Sequence, residues 1–146
     1  MSERKLFSVI EYIATIMIAD LIIVLVLAYL LRNMLSLSYY TDLFNRYPNY
    51  ALGASSIISL LILVIVRLTI QSRILSDMIF YMLPISSIMI YADLFTRKGV
   101  NIEILPLVII YSGNNHSSIS PDLAQINLII FFAYLFKRLL TSRRTH

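Results

Sequence analysis

Apolar residues come in four long runs separated by short polar connectors: Phe7 to Leu31, Ala51 to Ile70, Asp77 to Phe95 and Leu123 to Leu140. A helix needs roughly 20 mostly apolar residues to cross about 30 Å of hydrocarbon, and each run approaches that length. The pattern predicts an all-α integral membrane protein, a four-helix transmembrane bundle formed by one domain, residues 1–146. A further apolar stretch, Val100 to Tyr111, is too short to span and is interrupted by Pro106. It reads as a short interfacial or re-entrant segment, residues 100–112, before the last helix. Residues 96–122 then form the extracytoplasmic loop. Within it, Tyr111 to Pro121 gathers Gly, Asn, Ser and Pro as loops do.

Polar residues inside the runs carry the most information, because a charge at mid-bilayer costs roughly 2.5–3.5 kcal/mol and needs a partner or water. Asp20 sits near the middle of the first run, with Ile16, Met17, Ile23 and Val24 on its own face and no local partner. Ser59, Ser86 and Ser87 fall at similar depths, so a polar layer is expected in which their hydroxyls donate to the carboxylate. Such a residue serves either as a proton or ion relay or as a packing lock between helices. Glu11 and Arg67 have matching depths near one edge and are expected to pair; snorkelling to the headgroups is the alternative for Arg67.

Small and hydroxyl residues mark faces where membrane helices approach closely. Gly53, Ser56, Ser59, Arg67 and Gln71 form one stripe, and Asp77, Tyr81, Pro84, Ser87 and Tyr91 another. Pro84 predicts a kink, freeing a carbonyl for Ser87 or a neighbouring helix. Asn127, Phe131, Tyr134 and Arg138 share a face expected to turn inward. Gly53, Ser56, Pro84 and Asn127 are therefore assigned to helix packing.

Composition agrees with a membrane chain: 59% hydrophobic, 14% charged, mean hydropathy +0.81. The apolar run after Arg4 and Lys5 is too long for a secretory signal and reads as a retained span. Placing both termini in the cytoplasm puts Arg4, Lys5, Arg67, Arg73, Lys137, Arg138, Arg143 and Arg144 inside, against Arg32, Arg46, Arg97 and Lys98 outside. That excess fits the positive-inside rule and predicts a multi-pass protein of the cell membrane. The net charge of +4 lies mostly at the tails and suits anionic headgroups, not nucleic acid.

Other features are modest. The ten tyrosines include a cluster, Tyr39, Tyr40, Tyr47 and Tyr50, that suits an interfacial helix over Met34 to Phe44. Tyr40 to Arg46 (YTDLFNR) echoes Tyr91 to Arg97 (YADLFTR), read as a repeated interface anchor. Asn115-His116-Ser117 fits a glycosylation acceptor.

With no cysteine and two separated histidines, no metal or haem site is expected and no cofactor is called for. Nucleotide-binding and hydrolase motifs are absent, which argues against an enzyme, and no soluble substrate is identifiable. The first expectation is an accessory or scaffold subunit of a larger membrane protein complex, its partners the lipid bilayer and other membrane subunits. The alternative is a small homo-oligomeric ion- or proton-translocating protein using Asp20.

Overall fold

A computed structural model describes residues 3–36, 47–113 and 116–143. The chain is mostly helical, with α1 (Glu3–Ser36), α2 (Tyr50–Thr69), α3 (Arg73–Thr96) and α4 (Leu123–Arg143). Among the described residues, three helices are long and apolar enough to cross a membrane: Phe7–Met34 of α1, Tyr50–Thr69 and Arg73–Thr96.

The fold is not all-α. Between α3 and α4 lies an antiparallel sheet of β1 (Asn101–Leu105), β2 (Val108–Gly113) and β3 (His116–Pro121), in the order β1-β2-β3. The stretch expected as an interfacial or re-entrant segment is its first hairpin, with Ile102 opposite Tyr111 and Leu105 opposite Val108. The stretch with loop composition supplies the second, with Ile110 opposite Ile119. β-branched residues in β2 and the polar-apolar alternation of Asn101 to Ile104 favour extended backbone. Pro106 turns the first hairpin, and Leu107 takes φ 64°, a conformation rare outside glycine.

Contacts fix the register of the helices. α2 and α3 form an antiparallel hairpin, tied by Asn49 Nδ2 to Thr96 Oγ1 at 3.1 Å at one end and Arg67 Nε to Ser76 Oγ at 2.6 Å at the other. α1 turns one stripe inward, Ile16, Asp20, Val24 and Ala28, at the four-residue spacing of one helix face. Around Val24, Leu63, Met82 and Ile85 make the apolar core.

α4 does not run beside the outer part of α3. Its first turn lies beside Ser87, whose hydroxyl donates to the Ala124 carbonyl at 2.9 Å. From Ser87, α3 runs on to Thr96, roughly 13 Å further at 1.5 Å per residue. The sheet fills that outer space, packing Ile102, Ile109 and Tyr111 against Ile90, Leu94 and Ala124. At the opposite end, Tyr12 of α1 and Arg138 of α4 both bond Asp77 of α3. The described starts and ends of the chain therefore leave the bundle on one side, called here the inner end.

Candidate functional site

Asp20 occupies the middle of α1 and is 0% exposed. Neither of its carboxylate oxygens has a hydrogen-bond partner among the described residues. The middles of the other helices bury Ser55, Ser56 and Ser59 on α2, Ser86 and Ser87 on α3, and Asn127 near the start of α4.

The hydroxyls do not donate to Asp20 as the sequence suggested. Ser55 donates to the Leu52 carbonyl, Ser56 to that of Gly53 and Ser59 to that of Ser55, at 2.9, 2.8 and 2.7 Å. Ser86 Oγ donates to Ser56 Oγ at 3.3 Å and accepts from Asn127 Nδ2 at 3.3 Å. Ser87 donates to the Leu83 and Ala124 carbonyls. A serine has one hydroxyl hydrogen, so these residues retain only oxygen lone pairs for any further contact. The belt is rich in acceptors, and it sits in the same bundle as a carboxylate that lacks a donor.

Glu11 and Arg67 do not pair. Glu11 is exposed, as expected for a residue on the helix face opposite Asp20, while Arg67 donates to Ser76. α3 continues through Pro84 as helix. Ser87 bonds Leu83, not the Phe80 carbonyl that a proline at position 84 releases. Gly53 packs directly against Asp93 of α3, where an added Cβ would lie 3.1 Å from the Asp93 Cβ.

The α4 face turns toward α3 as the sequence suggested. Asn127 bonds Ser86, Phe131 stacks on Phe80 at 4.6 Å, Tyr134 lies 5.2 Å from the same ring, and Arg138 pairs with Asp77 at 3.2 Å. Arg138 is also 5.9 Å from the Phe80 ring. Two cavities open beside this array at the inner end. One of about 360 Å³ is lined by Arg67, Ser76, Phe80 and Leu83. The other, about 510 Å³, is lined by Tyr12, Arg73, Asp77 and Arg138.

Two residues at the head of α4 were not singled out from the sequence. Asp122 is 0% exposed; it accepts from the Gln125 amide and from the Tyr91 hydroxyl, each at 3.0 Å. Aspartate after proline and before an apolar run is an N-cap signal. Gln125 donates from Nε2 to the Leu105 carbonyl at 3.0 Å and accepts from the Leu107 amide at 2.9 Å. The cap thereby anchors the hairpin turn to the helix. At the outer end of α3, the second copy of the echoed segment supplies an Asp93–Arg97 ion pair at 2.7 Å. The first copy, the expected interfacial helix from position 37 on, and Asn115 lie outside the described residues.

The chain matches no protein-family model, no curated protein and no solved structure.

Proposed function

We propose that this chain is a multi-pass membrane protein that takes up a proton or small cation at Asp20 and passes it along the polar belt. The buried carboxylate without a donor carries the proposal. An ionised carboxylate sealed in a bundle costs several kcal/mol unless its charge is balanced. No side chain among the described residues offers Asp20 a hydrogen bond, which favours a neutral, protonated carboxyl or one balanced by a bound cation over a bare anion. Asp20 is 0% exposed, which favours compensation by a bound proton or cation over a partner subunit. The exposed residues along the helix midsections are mostly apolar, among them Leu21, Leu25, Leu61, Ile65 and Ile88, which suits lipid contact. The basic residues at the inner end support an orientation with that end in the cytoplasm.

The test is flux in proteoliposomes under an imposed proton or cation gradient. The native chain should dissipate the gradient and Asp20→Asn should not, at equal amounts of folded protein. Equal flux through both would remove Asp20 from the mechanism.

An accessory subunit of a larger complex is the second reading. The polar side chains of α2, α3 and α4 named above mostly bond within the chain, which leaves few of them for a partner helix. What favours it is the sheet, whose β1 and β3 edges have no strand beside them among the described residues. Open sheet edges are not left against lipid, and a partner segment would cover them. Isolation from native membranes with a stoichiometric larger subunit would support this reading; recovery of this chain alone, or as its own oligomer, would oppose it.

A further inference from the structure

We infer that the cleft between α2, α3 and the sheet holds water and carries it from the outer side toward the polar belt. The inference rests on the membrane reading above and extends it from the ion site to its outer access. The cleft has a volume of about 200 Å³, and Gly53, Ala54, Ile90, Asp93, Arg97 and Ser120 are among its walls. At ~30 Å³ per molecule it has room for roughly six waters.

Its polar lining asks for them. Asp93 is 5% exposed; its Oδ2 meets Arg97, while its Oδ1 and the Arg97 Nε are buried with no hydrogen-bond partner among the described residues. A buried polar atom left unpaired loses its hydration without recompense, and an ordered water restores it. Neither side chain can swing to serve itself. Arg97 lies 5.3 Å from the Tyr47 ring and 5.2 Å from the Tyr111 ring, and Asp93 is tied to it.

Gly53 keeps α2 close to Asp93 while leaving the space beside it open. One turn further in, Ser56 meets Ser86, which in turn meets Asn127. Ile57 and Ile90 of the cleft wall belong to one apolar cluster at the border with that belt. The sheet forms the outer wall, and its open edges require water or protein at this level instead of lipid. The ligand is therefore water, with hydrated protons or small cations carried in it.

The chain has no cysteine, so single cysteines report without background. Ala54→Cys and Ser120→Cys probe the cleft, Asn101→Cys the exposed outer end, Ile58→Cys the apolar face of α2 and Gln71→Cys the inner connection. Each is treated with a charged, membrane-impermeant thiol reagent applied to the sheet side of sealed vesicles. Labelling of Ala54→Cys and Ser120→Cys, with Ile58→Cys and Gln71→Cys silent, is the expected result. Silence at both cleft positions while Asn101→Cys labels would overturn the inference and leave the membrane reading intact. Labelling of Gln71→Cys without opening the vesicles would overturn the membrane reading, and the inference with it.

Discussion

The Ser87 hydroxyl meets the Ala124 carbonyl at 2.9 Å, which sets the start of α4 beside the middle of α3. Everything above that point on the α4 side is sheet. A helix beginning inside the bundle leaves its first amides to be satisfied there, and Asp122 does so, with Tyr91 holding its other oxygen. Ser56, Ser86, Ser87 and Asn127 are buried at this level.

Replacing Ser87 with Ala removes that tie and leaves Asn127–Ser86, Arg138–Asp77 and packing to hold α4 against α3. The expected loss is about 1 kcal/mol, read as a lower thermal midpoint in detergent. An unchanged midpoint would mean that the bond does not set the register.

Asp77 is held by Arg138 and by the Tyr12 hydroxyl at the inner end. Arg138→Leu should destabilise by about 1–2 kcal/mol, less than a fully buried pair, because the Arg138 side chain is 44% exposed. Adding Asp77→Asn should recover part of the loss. A double-mutant cycle on denaturation in mild detergent measures the coupling, and strict additivity would contradict a direct pair.

Gly53 sets two effects against each other. Alanine gains about 1 kcal/mol of helix propensity over glycine, but its Cβ would lie 3.1 Å from the Asp93 Cβ. Gly53→Ala should therefore be near neutral. Gly53→Leu has no such compensation and should lose about 2 kcal/mol or more through overpacking. Thermal unfolding of the two variants gives the comparison, and equal midpoints would contradict the close approach of α2 to α3.

Gln125 bonds both sides of the turn in which Leu107 has φ 64°. Gln125→Leu should loosen the hairpin by about 1–2 kcal/mol. Leu107→Gly relieves the backbone and should cost nothing or stabilise by about 1 kcal/mol. Amide exchange of β1 and β2 reports both, and protection unchanged in Gln125→Leu would show that the anchor is idle.

The helices long and apolar enough to cross a membrane were legible because their apolar runs are long. Asp20 was legible because one carboxylate in such a run has no ordinary explanation. The sheet was not, since Val100 to Tyr111 is apolar enough to suggest a membrane segment and β3 is polar enough to suggest a loop. Strand pairing is a long-range property that neither segment states alone. The Glu11–Arg67 pair failed for a related reason. Equal depth does not fix the face a side chain takes, and Arg67 turns toward Ser76. The position of α4 against α3, which shapes the candidate site, depends on distant contacts such as Ser87 with Ala124.

Exchange of a proton or cation at Asp20 is the central claim, and carbodiimide modification followed by peptide mass spectrometry tests it most directly. An apolar carbodiimide reacts with a protonated carboxyl, so Asp20 should be modified in the native bundle. Raising the pH, or adding the cation it holds, should protect it, and Asp20→Asn should remove the adduct. An Asp20 that stays unmodified, or is modified equally at every pH and cation concentration, would contradict the account.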